Sequence, residues 1–365
     1  MPPRETPPAP RVDLSDVRRA LVIRHRAGGD LLLSTPALRA LKRGLPSAAV
    51  EVLTARGMSE ILRGNPDIDR VLEFDRRSFS AQAALYAKLL RGGYDLVLDM
   101  VSNPRSAVMT ALTRSRIRVG YDLDGRRYAY TLRVPREPVG SRGPKLRYAP
   151  EAALDLVRAI GLPPRGLELT FRLAADARSR MDRWLEESGL LDRPIVACLA
   201  SGSWPSKTWP AARFAASMDA LRDEASALWI WGPGEETLAR ECRAATRGRS
   251  AVAPPTGWQD LAALLSRCSL LLSNDSGPKH LAVALEVPTV TIFGPTHPVT
   301  WHPPGGPHAA IVAEGLQCLH CNETSCPLPG DGHMRCMRDV TVEAVVEACR
   351  TRLRLDAGRI ACESR

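Results

Sequence analysis

Short apolar runs recur along the chain, each ending in glycine, proline or small polar residues and followed by a stretch whose apolar positions repeat at helical spacing. In the front half these runs are residues 20–24 (ALVIR), 50–53, 71–74, 96–100 and 116–121. In the back half they are residues 195–199, 227–231, a run closing at Ser273, and 289–293. Runs this short, bounded by turn residues, predict buried strands, and strands alternating with helices predict parallel sheets covered on both faces. The helical segments include 31–43, 81–90, 150–160, 174–188 and 342–353, the last able to pack across either half. Because the grammar starts afresh near residue 195, the economical architecture is α/β with two Rossmann-like domains in series and ligand in the cleft between them.

The expected boundaries are a disordered proline-rich tail over 1–16, an N-terminal domain over 17–172 and an interdomain crossing over 173–190. A C-terminal domain over 191–353 and a tail over 354–365 follow.

Residues 270–296, LLLSNDSGPKHLAVALEVPTVTIFGPT, hold the clearest candidate site. A strand closes at Ser273, Asn274 to Gly277 turn the chain, and Pro278 opens a helix, where its missing N–H costs nothing. Free backbone N–H groups at such a junction attract anions.

Three further strand ends carry chemistry. After residues 20–24, Ala27, Gly28, Gly29 and Asp30 form a turn ahead of a helix that Pro36 helps to start. Asp30 reads there either as a cap or as a reactive carboxylate. After 195–199, Ser201, Gly202, Ser203 and Lys207 offer hydroxyl, N–H and ammonium donors to phosphate, although the spacing is not that of a Walker loop; an ordinary polar turn is the plain alternative. After 227–231, Glu235 or Glu236 stands where an acid can accept ribose hydroxyls. No G-x-G-x-x-G is present, which removes the simplest support for hydride chemistry.

Near the end, Cys318, Cys321, Cys326 and Cys336 follow a C-x2-C-x4-C-x9-C spacing. A structural zinc site, reduced thiols packed in a loop, and redox chemistry are the three readings open to it.

The net charge of +10 sharpens this picture when the chain is divided after Arg172. Residues 1–172 carry 30 Lys and Arg against 18 Asp and Glu, and the remainder 20 against 22, so all the excess positive charge lies in front. That asymmetry suits an acidic partner, and the loops between Arg105 and Arg147 hold many of the arginines, with Arg105, Arg126 and Arg127 the candidates for an anionic acceptor. Sparse aromatics there and no nucleic-acid motif argue against DNA or RNA. With no apolar run long enough to span a bilayer and no signal-peptide h-region, the expected address is cytoplasmic.

Taken together, the motifs resemble glycosyltransferase family 9, the heptosyltransferases of bacterial lipopolysaccharide. The resemblance runs from ALVIRHRAGGDLLLSTPALRALK through GNPDIDRVLEFD, DLVLDMVSNPRS, SGSWPSKTWP and WGPGEE to SNDSGPKHLAVALEVPTVTIFGPT. It implies a GT-B architecture, with two Rossmann-like domains facing each other across a cleft. It also implies an inverting, metal-independent transfer of a sugar, typically heptose from ADP-heptose, to a lipid A-linked core at the inner face of the cytoplasmic membrane. By the same resemblance Asp30 is the general base, and Lys207 with Ser201, Gly202 and Ser203 contacts phosphate. Glu235 holds ribose, and Asp275, Ser276, Gly277 and His280 contact the diphosphate and sugar. A member moving another sugar to another surface glycan, or a catalytically idle nucleotide-binding protein of the same fold, is the alternative. Two positions depart from the family pattern: Lys279, more often apolar there, and Tyr148, where many members carry histidine.

Overall fold

The computed structural model describes residues 12–25, 27–136 and 146–363, with side chains described through residue 354. The chain divides into two compact units, Met1–Glu137 with Pro150–Thr170, and Pro138–Ala149 with Phe171–Arg365. Most of the tail expected over 1–16 lies outside the described residues, as do Arg142 and Lys145 of the basic run.

In the first unit the strands are β1 (Arg19–Ile23), β2 (Ala49–Ala55), β3 (Arg70–Phe74), β4 (Leu96–Asp99), β5 (Ile117–Tyr121) and β6 (Leu132–Val134). They pair in parallel in the order β3-β2-β1-β4-β5-β6. In the second they are β7 (Ile195–Leu199), β8 (Ser226–Trp229), β9 (Ser250–Val252), β10 (Leu270–Asn274), β11 (Thr289–Phe293) and β12 (His308–Val312), ordered β12-β11-β10-β7-β8-β9. Counted from its own first strand, each sheet has the Rossmann order 3-2-1-4-5-6. Each therefore has a switch point, between β1 and β4 and between β7 and β10, where the chain leaves one strand to opposite sides and opens a crevice.

Central strands sit under helices on both faces, so Leu21, Val22 and Ile23 of β1 and Leu270, Leu271 and Leu272 of β10 are wholly buried. Each such side chain contributes roughly 1.5–3 kcal/mol relative to exposure. The core of the second unit gathers Leu270, Leu272, Val290 and Ile292 with Val345, Val346 and Cys349 of the last helix, Val342–Glu363. That helix is longer than the periodicity predicted and packs on the second unit. Helix Ala175–Ser188, expected as a crossing, lies along helix Trp258–Leu265 of the same unit, with Arg180 bridging Asp260 at 2.7 Å.

Three strands escaped the sequence reading. β6 and β9 have three residues each, and β9 and β12 are half-buried throughout, as edge strands are. The turn predicted over residues 27–30 is also corrected: Gly28 already begins a short helix, Gly28–Leu33, and Ser34 separates it from Thr35–Gly44. The buried Ser34 and Thr35 hydroxyls donate to the carbonyls of Leu31 and Leu32, which holds the two helices together at the break.

The Tyr130 ring packs against Gly120 of β5, with its hydroxyl donating to the buried Asp99 carboxylate at 2.8 Å. A Cβ on Gly120 would fall inside that ring's van der Waals surface. Gly120→Ala is expected to cost about 1–3 kcal/mol, the usual penalty for overpacking, read as a lowered melting midpoint in chemical denaturation; an unchanged midpoint would show the ring free to move.

Candidate active site

The second unit collects most of the predicted site at its switch point. β7 ends at Leu199 and β10 at Asn274, neighbours in the sheet, so the chain segments that follow both strands emerge side by side. Asn274, read from sequence as a turn residue, is the last residue of β10 and wholly buried. Its amide donates to the carbonyls of Ala200 and Ser201 and accepts from the Trp209 N–H at 3.0 Å, so one side chain fixes both ends of the 200–209 loop. Gly202 belongs in that loop for steric reasons, since a Cβ there would stand 2.8 Å from Thr208 Oγ1.

Within this frame Lys207 ends a single 3-10 turn, Pro205–Lys207, and reaches Asp275 Oδ2 at 2.8 Å. Thr296, just beyond β11, donates to the same oxygen at 2.8 Å. Lys279, one turn along helix Gly277–Ala284, takes the other oxygen at 2.6 Å. Burial by itself would raise the Asp275 carboxyl, but the ammonium groups of Lys279 and Lys207 outweigh it and hold it well below the usual carboxylate range. The carboxylate is therefore ionised throughout the physiological range, with two cations on it.

Beside it, Ser276 caps the helix in extended conformation, and its buried hydroxyl has no hydrogen-bond partner among the described residues. The Nδ1 of buried His280 is likewise without one. Unpaired buried polar atoms at a helix N-terminus flanked by ammonium groups are suited to an incoming anion. Glu235 stands apart from this group: its Oε2 accepts from Ser201 Oγ at 2.7 Å and from the Gly232 N–H at 2.8 Å, which links the ends of β7 and β8. The Ser201 hydroxyl is thus engaged, while Ser203 is exposed.

A clamp that sequence reasoning missed holds these parts. Ser206 donates through Oγ to the Glu323 carbonyl at 2.6 Å and through its N–H to the Thr324 carbonyl. His320 and Asn322 donate their N–H groups to Gly294 and Pro295, and His320 Nδ1 lies 3.0 Å from the Thr296 carbonyl. The Cys-rich segment thereby braces both the Lys207 turn and the turn after β11. Cys318, Cys321, Cys326 and Cys336 line one cavity of about 250 Å³ with Ser206 and Pro295. Among the described residues no group of three or more His, Cys, Asp or Glu is arranged to hold a metal ion.

In the first unit Asp30 lies at the carboxyl end of β1, a third exposed, on a helix entered through Ala27 at a positive φ of 52°. Its Oδ2 is 3.2 Å from the Arg24 guanidinium, which also donates to the Met100 carbonyl after β4. Arg24 thus ties Asp30 to the two strands of the first switch point, a link no local pattern signals. The acceptor candidates are less uniform. Arg105 is exposed with its guanidinium over the Phe74 ring, whereas Arg127 is bound to Asp122 at 2.6 Å and near Asp124, and Arg126 donates to the Asp124 carbonyl. Tyr148, which belongs to the second unit, is buried with its hydroxyl unpartnered among the described residues.

Two Rossmann-like units, the second carrying a cationic pocket at its switch point, define the GT-B class of α/β proteins. The profile of glycosyltransferase family 9 (heptosyltransferase) matches residues 82–330, and the chain belongs to that family. It is 26% identical over 291 residues to lipopolysaccharide heptosyltransferase 3 of Escherichia coli, covering 76% of this chain and 84% of the relative. Among solved structures it is similar to the family 9 glycosyl transferase of Veillonella parvula, with TM-score 0.78, 20% identity, and 92% of this chain and 97% of that one covered. It is also similar to E. coli ADP-heptose lps heptosyltransferase II, with TM-score 0.75, 20% identity, and coverage of 93% and 99%.

Histidines near the pocket give it a pH dependence. Burial and then the Lys279 charge push His302 down to about 4, and burial and then His302 push His308 down to about 4. A folded value below the unfolded 6.5 means that the unfolded chain binds more protons between pH 6.5 and about 4, so stability falls as pH drops through that window. Thermal melts from pH 7.5 to 4.5 should show a falling midpoint below pH 6.5, less steep in His302→Gln; a flat profile would mean that these rings are not held neutral.

Proposed function

We propose that this family 9 glycosyltransferase moves heptose from ADP-heptose to a lipid A-linked core oligosaccharide in lipopolysaccharide biosynthesis, with inversion at the sugar. Names of relatives supply the donor and the pathway: lipopolysaccharide heptosyltransferase and ADP-heptose lps heptosyltransferase. The observation that carries the reading is the Lys207, Asp275, Ser276 and His280 group at the switch point of the second sheet, where nucleotide folds bind phosphate.

In this reading Asp30 takes the proton from the acceptor hydroxyl as its oxygen attacks the anomeric carbon. The bond from that carbon to the diphosphate breaks on the opposite face, which inverts the configuration. Negative charge grows on the leaving ADP, and Lys207, the Ser203 hydroxyl and the N–H groups at Gly277 stabilise it. Glu235, with Ser201 and Gly202, borders the nucleoside. The Lys207 ammonium and a helix N-terminus supply the positive charge that a divalent ion would otherwise bring, and on that ground the chemistry is proposed to be metal-independent. Any zinc held by the Cys-rich segment is then structural, and turnover after dialysis against a chelator separates the two roles.

Arg105 and Arg126 are proposed to meet anionic groups of the acceptor, with Arg127 joining if the acceptor displaces Asp122. No helix among the described residues is long and apolar enough to cross a membrane, so the enzyme is proposed to reach its lipid-linked acceptor from the cytoplasm at the membrane surface.

Asp30→Asn is expected to keep ADP affinity and lower kcat by about 10²–10⁴, the usual contribution of a general base. Unchanged turnover would remove Asp30 from that role, and absence of turnover in the parent chain with every nucleotide sugar tried would favour an idle binding protein. Lys207→Ala should weaken ADP binding and turnover together; calorimetry showing ADP affinity unaltered would overturn the phosphate assignment.

A further inference from the structure

Lys279 is an unusual side chain for a helix of the site. It is wholly buried, with no exposed surface, one residue before His280 on helix Gly277–Ala284. Its ammonium donates to Asp275 Oδ1 at 2.6 Å and to the Trp301 carbonyl at 2.7 Å, and lies 4.9 Å from the centre of the Phe293 ring. Burial drags its affinity for a proton down from the ordinary lysine value, and the Asp275 charge opposes that. Lys207 holds the other oxygen of the same carboxylate, but its side chain retains 10% exposure and lies against the Trp204 ring at 4.2 Å.

One buried carboxylate thus carries two cations that differ in access. Lys279 is walled in and Lys207 stands at the rim. If Asp275 had Lys207 alone, an arriving phosphate could take that ammonium only by leaving a buried carboxylate without a countercharge, the costliest state for such a group. The bared carboxylate would also repel the phosphate that displaced it. With Lys279 in place, Asp275 keeps a fixed partner whichever way Lys207 turns.

We propose that Lys279 is the fixed countercharge of the donor site, a positioning residue that acts through Asp275 to release Lys207 to the diphosphate of a nucleotide. This rests on the phosphate-binding reading of the site given above, and deepens it by separating the two lysines into a mobile ligand and a permanent partner. Lys279 itself touches no ligand.

The test is a cycle of Lys279→Met, Asp275→Asn and the double variant, with ADP and adenosine binding followed by calorimetry on proteins verified as folded by their thermal melts. Lys279→Met is expected to weaken ADP on the order of tenfold, the scale of coupling within one ion-pair network, and to leave adenosine, which has no phosphate, unchanged. In the Asp275→Asn background the same replacement should change ADP affinity by less than about threefold, because Lys279 acts only through that carboxylate. The two arms also cover poor folding: where Lys279→Met alone is too unstable to measure, the double variant has no buried carboxylate to strand, and its comparison with Asp275→Asn decides.

Equal weakening of ADP and adenosine would mean that Lys279 merely supports the fold, and unchanged ADP affinity in folded Lys279→Met would mean that Lys207 needs no second cation; either overturns the proposal. A Lys279 effect that persists at full size in Asp275→Asn does so as well. Failure of the parent chain to bind ADP at all is a different result, since it overturns the phosphate-binding reading and the inference that rests on it together.

Discussion

The site depends on the burial of one ionised carboxylate. Asp275 has almost no solvent to stabilise its charge, so its position is set by the three donors around it: Lys279, Lys207 and Thr296. Each comes from a different piece of the second unit, namely the helix after β10, the turn after β7 and the turn after β11. A buried charge missing any of these partners would be severely penalised. The carboxylate therefore acts as a three-way joint, and the geometry around it follows from where these strands end. The Cys-rich segment reinforces the joint from outside by hydrogen bonding to Ser206, Gly294 and Pro295.

Much of this fold was legible in the sequence because both sheets are parallel and covered on both faces. Central strands such as β7 and β11 are buried at every position and rich in apolar and β-branched residues, so their limits are visible as continuous runs. Edge strands obey a weaker rule. β9 and β12 have one flank open, are half-buried at every residue, and are too short or too mixed to stand out as buried runs. The start of helix Gly28–Leu33 was hidden for another reason: two glycines read as a turn, whereas here they are buried helical residues.

The residue types of the candidate site were equally legible, because strand ends followed by Ser, Gly, Lys or Asp announce anion chemistry before any fold is known. What could not be read were the partnerships. A lysine after Gly-Pro at a helix start looks solvent-facing, and only its 0% exposure and its contacts with Asp275 and the Trp301 carbonyl show that it points inwards. Likewise Arg24 precedes Asp30 by six residues, and Ser206 lies 117 residues from Glu323, with no periodicity linking either pair. Contacts of this kind depend on which strands adjoin, and they become readable only once the order 3-2-1-4-5-6 is known twice over.

That duplicated order also qualifies what net charge says. The first 172 residues carry the whole positive excess, yet many of those arginines are held within the unit. Arg19 binds Glu51, Arg39 reaches the Glu168 carbonyl and Thr170, and Arg118 donates to the carbonyls of Ser115 and Ala129. Guanidinium groups used this way satisfy buried or half-buried oxygens and offer little to a partner. The charge that matters for an anionic ligand is local: within residues 173–365, whose net charge is slightly negative, two lysines stand against one aspartate at the candidate site. An anion site can thus sit in the half of the chain where a charge count would not look for it.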